Sequence, residues 1–162
     1  MKGEPTISKK ILVSKSSLET QRIGKRLAAR LEKGDVLALV GELGSGKTTF
    51  VKGLAEGLGI SSDHVNSPSF VICQEYDGRL PLYHFDLHRM TGKTDLQRLE
   101  TEVGLGDYLE GDGISVIEWA NHAESLLPAE YLRINFFLKP NDSRELSFEP
   151  KGKRYQERLG TV

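Results

Sequence analysis

The sequence predicts an α/β fold, a mixed β-sheet flanked by helices with antiparallel hairpins, on three observations. The apolar run Val36-Leu37-Ala38-Leu39-Val40 is continuous rather than alternating, as in a strand buried on both faces. Glycines interrupt directly after it and helical spacing then resumes over residues 48–58, so strand, loop and helix follow in the order of an α/β unit. Asp77-Gly78 and Asn141-Asp142 each separate two strand-like segments, which makes part of the sheet antiparallel.

The elements follow in order. Residues 11–13 form a short strand. Ser16-Ser17-Leu18-Glu19 has capping-box spacing, Ile23, Leu27 and Leu31 recur every four residues, and Gly34 is a stop signal, so a helix lies between. After the central strand and the 48–58 helix, segments 70–76 and 80–86 pair as a hairpin around Asp77-Gly78. Residues 94–109 are helical in character, with Leu96, Leu99 and Val103 on one side and Gly104 interrupting. The apolar run 114–117 ends at Glu118, and 120–126 is a brief helix stopped by Pro128. Segments 131–138 and 144–148 close the sheet as a second hairpin. The tail from Lys151 is charged and is expected to be flexible and to fray.

Composition narrows the class. The 162 residues show no repeat, low-complexity tract or linker, so residues 1–162 read as one domain with a single sizeable core. A net charge of -1 supplies no global reason to bind nucleic acid or an anionic membrane. The single cysteine, Cys73, excludes an internal disulfide and suits a reducing compartment. Residues 1–10 are polar and unlike a signal peptide, and nowhere do about 18 apolar residues run together, so a cytoplasmic protein is expected.

The chemistry-bearing motif is Gly41-Glu42-Leu43-Gly44-Ser45-Gly46-Lys47-Thr48, which matches GxxxxGK[ST], the phosphate-binding P-loop, at every required position. Its glycines permit backbone torsions that point successive N–H groups inward at phosphate oxygens, and the following helix adds its positive end. Lys47 supplies a point charge to the outer phosphates, and the Thr48 hydroxyl can ligate magnesium. Thr49 adds a hydroxyl or N–H near the inner phosphates. A P-loop NTPase-like fold is therefore expected, with ATP as the nucleotide and Mg2+ as its cofactor.

Such a site also needs an acidic residue at the end of a neighbouring strand. Asp86 and Glu118 each end an apolar strand pattern, where ligands bind in α/β sheets; each could equally be a capping or surface carboxylate. Ser67-Pro68-Ser69-Phe70 falls where many P-loop proteins sense the γ-phosphate, but the residues alone favour a plain proline turn. His84, Asp86 and His88 alternate as a strand-borne metal site would. Asp86 ends the strand, however, and no further ligand cluster with recognisable spacing accompanies them.

Several segments together, GELGSGKTTFVKGLAEGLGI, SPSF, EY, YHFDLHRM and IEW, resemble the TsaE family of bacterial ATPases, which act in making threonylcarbamoyladenosine in tRNA. The resemblance runs from Ser17 to about Phe148 in the family's order and approximate spacing. It implies that Lys47 and Thr48 hold phosphates and magnesium, that Glu118 coordinates magnesium, and that Asp86 is a second acid near the water or metal shell. It implies that Trp119 lies beside the nucleotide in a mobile switch, although composition alone equally suits a core tryptophan. Ser67-Pro68-Ser69-Phe70 resembles the first switch, with Ser69 where the family usually has threonine; the hydroxyl is kept and the methyl lost. His88 stands in place of the family's tyrosine.

The implied function is ATP hydrolysis that acts as a switch on a tRNA-modifying complex. Its partners are the threonylcarbamoyl-transferase subunit and that subunit's paralogous partner, with tRNA contacted indirectly. The alternative is a small-molecule P-loop kinase, which needs an arginine-bearing lid. The arginines of the last third, Arg133, Arg144, Arg154 and Arg158, are scattered, and the guanine-reading NKxD of a GTPase is absent. No arginine finger is assigned within the chain, so slow intrinsic turnover stimulated by partners is expected.

Overall fold

The computed structural model describes residues 9–66 and 72–159. Within them lie seven strands: β1 (Lys10–Ser14), β2 (Val36–Gly41), β3 (Cys73–Tyr76), β4 (Leu82–Asp86), β5 (Ile114–Glu118), β6 (Tyr131–Leu138) and β7 (Arg144–Lys151). They form one sheet in the order β1-β7-β6-β2-β5-β4-β3. The inner strands β4, β5, β2 and β6 are parallel, while β3, β7 and β1 add antiparallel edges. The mixed α/β fold is as the sequence predicts. Asn141 and Asp142 turn the second hairpin with left-handed φ of 65° and 59°, a conformation these residue types tolerate better than most. Of the first hairpin strand expected over 70–76, the described part begins at Ile72. The Ser67-Pro68-Ser69-Phe70 segment lies outside the described residues.

Two apolar layers cover the sheet, because the alternate residues of its strands point to opposite faces. Leu37 and Leu39 of β2 pack with Ile23 and Leu27 of α1 (Ser17–Ala28) and with Phe50, Val51 and Leu54 of α2 (Lys47–Gly57). Phe50 is fully buried, its ring edge-on to Phe136 at 5.6 Å, so truncating it to alanine would cost about 3–5 kcal/mol. Val36 and Ala38 face the other layer with Phe85, Leu87, Leu99 and Leu105. That layer is closed by α3 (Lys93–Arg98), a wider turn over Leu99–Val103, and α4 (Leu105–Leu109). Gly104, with φ +75°, separates the last two, as its place in the sequence suggests.

Two local expectations are corrected. Helix α1 starts as predicted, with Ser16 Oγ accepting from Glu19 N at 3.0 Å, but it ends at Ala28. Gly34 is not its stop: it turns the chain into β2, and its N–H donates to Gly113 O at 2.9 Å. The charged tail also does not fray through residue 159. Beyond β7, α5 (Lys153–Gln156) and the following turn bury Tyr155 and Leu159, and Val36 N donates to the Tyr155 hydroxyl at 2.8 Å. Arg154 Nε and Arg158 Nε donate to the fully buried carboxylate of Asp35 at 2.9 and 3.1 Å. The tail's arginines are thus the counter-charges that a buried Asp35 requires. Among the described residues no helix is long and apolar enough to cross a membrane.

Candidate functional site

The carboxyl ends of β2, β4 and β5 meet at one edge, where sheet register aligns Leu39 and Asp86 with Glu118. The loop after β2 leads into α2 through Gly46, whose φ of +104° is open to glycine and strained for a side chain. Gly41 is required for a different reason: a Cβ there would lie 2.7 Å from Ser45 Oγ and 2.8 Å from Phe136 O. The chain therefore packs tightly on itself between β2 and α2.

Lys47, at the start of α2, is nearly buried, and its ammonium donates to the carbonyls of Gly41 at 2.5 Å and Glu42 at 2.8 Å. It also lies 4.5 Å from the Trp119 ring centroid, in cation–π range. Burial lowers its pKa below the usual lysine value, against the opposing pull of the Glu118, Asp86 and Glu42 carboxylates.

At the next position of α2, the Thr48 hydroxyl donates to Glu118 Oε1 and Oε2 at 3.0 and 3.1 Å. On the other side of that carboxylate, His84 Nε2 lies 2.5 Å from Glu118 Oε2, with both side chains buried. Asp86 closes the strand end and accepts from His88 N at 2.9 Å. Hydroxyl and carboxylate oxygens on one edge are the hard donors that suit Mg2+, so Thr48 and Glu118 fit the ion the motif implies.

These groups open onto a cavity of about 660 Å³. Of the residues singled out in the sequence, Leu43, Gly44, Gly46, Lys47, Thr48, Thr49, Asp86, Glu118 and Trp119 line it. Glu42 instead borders a smaller cavity beside Phe137, and Ser45 is buried within the loop, its hydroxyl 3.5 Å from Lys47 Nζ. Ser69 lies outside the described residues.

Trp119 is half-buried and follows β5 with φ 58° and ψ 38°, a left-handed conformation costing a bulky residue about 1–3 kcal/mol. His88 packs on its ring at 4.6 Å and 32°, and His122 lies beyond at 5.4 Å. No cluster of three or more metal-ligating side chains occurs among the described residues, and His84 and His88 part company because the chain turns after Asp86.

Sequence reasoning did not place three arginines in the site. Arg89, Arg98 and Arg144 line the same cavity, with Arg144 Cδ 3.2 Å from where a Cβ on Gly46 would be. Arg144 stands 98 positions after Gly46 and reaches it only because β7 starts there, so no spacing could reveal it. His84, which the sequence offers only as part of a strand-borne metal site, instead bonds Glu118 on the adjacent strand.

Comparison with known proteins shows the family and agrees with the fold. A family model described as "Threonylcarbamoyl adenosine biosynthesis protein TsaE" matches residues 14–146. The chain is 48% identical over 139 residues to the tRNA threonylcarbamoyladenosine biosynthesis protein TsaE of Bacillus subtilis (strain 168), covering 85% of this chain and 84% of that protein. It is 38% identical over 135 residues to the protein of the same name from Treponema pallidum (strain Nichols), covering 83% and 96% respectively. The crystal structure of B. subtilis YdiB superposes with a TM-score of 0.78 at 39% identity, covering 96% of this chain and 94% of that one.

Proposed function

The chain belongs to the TsaE family, and on that premise we propose that it binds and hydrolyses ATP as a nucleotide-dependent switch in making threonylcarbamoyladenosine in tRNA. The family relationship supports the place in tRNA modification. The observation that carries the nucleotide chemistry is the convergence of Lys47, Thr48 and Glu118 at the mouth of the glycine loop.

In this reading the backbone of Glu42, Leu43, Gly44, Ser45 and Gly46 cradles the phosphates, aided by the positive end of α2. Lys47 turns its ammonium from the loop carbonyls to the outer phosphates, and Thr49 serves the inner ones. Thr48 and Glu118 hold Mg2+, which when bound screens the charge of the phosphate oxygens. Asp86 orients water near that edge, and Trp119 packs beside the nucleotide. Ser69 completes the first switch through its hydroxyl. The chain's own groups thus position and neutralise, which is most of what phosphoryl transfer to water asks of a protein.

The partners are the threonylcarbamoyl-transferase subunit and its paralogous partner, with tRNA contacted through them. Their affinity for the ATP and ADP states sets how far hydrolysis can drive the complex. The test is steady-state ATP hydrolysis by the purified protein with and without both subunits. The reading predicts slow turnover alone and marked stimulation by the pair. Equal turnover in both conditions would contradict the coupling.

A further inference from the structure

We propose that His84 is a positioning residue for the Glu118 carboxylate, fixing it in the orientation that serves a divalent cation bound with the nucleotide. The inference rests on the reading of Thr48 and Glu118 as the magnesium edge of the site. His84 lies in β4, where register pairs it with Val116, so its ring crosses one step diagonally to Glu118 on the adjacent strand. Nε2 and Oε2 are 2.5 Å apart, with side-chain exposures of 0% and 3%. A carboxylate oxygen accepts, so Nε2 carries the hydrogen and donates.

The remaining ring nitrogen decides between a packing role and a positioning one. Nδ1 is buried and has no hydrogen-bond partner among the described residues. An apolar side chain of similar volume would fill this space without an unmet acceptor, so packing gives no reason for a histidine here. The hydrogen bond to Glu118 does. Thr48 binds the carboxylate from α2 and His84 binds it from β4, so the plane of the group is held from two sides before any ligand arrives. Partners that orient a metal's ligands in this way typically change metal affinity by about 10–100-fold when removed.

The experiment measures ADP affinity in Mg2+ and in EDTA, with melting temperature alongside. The proteins are the parent, His84→Leu, His84→Gln, Glu118→Gln and the His84→Leu/Glu118→Gln pair. His84→Leu should lower the Mg2+-dependent gain in affinity about tenfold and leave affinity in EDTA unchanged. His84→Gln keeps an N–H at similar reach and should recover part of the gain. In the Glu118→Gln background His84→Leu should change the gain no further, which a purely structural role would not produce. His84→Asn, whose amide stops short of Glu118, carries the same expectation where the leucine variant fails to fold. A His84→Leu or His84→Asn protein with the parent's full Mg2+ gain would overturn the inference. A parent whose ADP affinity ignores Mg2+ would instead overturn the magnesium edge itself, and the inference with it.

Discussion

The Thr48 hydroxyl lies 3.0 and 3.1 Å from the two carboxylate oxygens of Glu118, a residue 70 positions later in the chain. Parallel pairing of β2 with β5 brings them together, since it sets Glu118 level with Leu39 just before the glycine loop. Sheet register, loop and helix N-terminus therefore converge on one edge.

Lys47 is the first test of that edge. Burial depresses its pKa, so the unfolded chain holds this proton more tightly than the folded one. The contribution to stability is unfavourable at neutral pH and fades as pH rises through the window below 10.5. Lys47→Met removes this cost together with the hydrogen bonds to Gly41 and Glu42, so the fold should persist with little net change in melting temperature at pH 7. Its ATP turnover should fall about 10²–10³-fold, as for loss of one charge-stabilising group. Calorimetry and a phosphate-release assay check the two halves, and unchanged turnover in a folded variant would remove the lysine from the mechanism.

Asp35 tests the docked C-terminal segment. Its carboxylate is fully buried against Arg154 and Arg158, so Asp35→Ala removes the acceptor they share and should destabilise by about 2–3 kcal/mol in urea unfolding. A loss below about 1 kcal/mol, typical of exposed pairs, would mean that the segment is loosely held.

Cys73 offers a pH test. Desolvation, followed by the nearby Glu75 carboxylate, pushes its thiol up to about 12 from 9.0. The thiolate is the reactive form, so native protein at pH 8 should react with a disulfide reagent far more slowly than the unfolded chain. With a raised folded pKa, its stabilising contribution is complete below 9.0 and is lost as pH climbs towards 12. Cys73→Ala should flatten that part of the alkaline stability curve. Equal labelling rates for native and unfolded protein would refute the burial argument.

The sequence made the β2–loop–α2 unit legible because its signals are local: an apolar run, glycines and resumed helical spacing. Glu118 and Asp86 were legible as strand ends, although their alignment was not, since register depends on contacts between distant segments. Arg144, His84 and the Asp35–Arg154–Arg158 cluster were hidden for the same reason. Each is defined by a partner on another element, and a charged tail reads as solvated until its buried counter-charge is seen.

Ser69 is the test of the proposed switch. Loss of the γ-phosphate removes the contact proposed for its hydroxyl, so Ser69→Ala should lose stimulation by the transferase subunits while keeping nucleotide affinity. Ser69→Thr should preserve or strengthen it. Parallel measurements of stimulated turnover and ADP affinity decide the matter, and a Ser69→Ala protein stimulated as well as the parent would leave the segment a plain turn.

The most direct measurement is a magnesium titration of ATP hydrolysis by Glu118→Gln, with ADP affinity measured on the same protein. The substitution keeps size and most hydrogen bonding but removes the negative charge a hard cation prefers. Turnover should fall about 10²–10³-fold while ADP affinity loses only its Mg2+-dependent gain, about tenfold. Normal hydrolysis at limiting magnesium would contradict the account and pass the ligand role from Glu118 to Asp86.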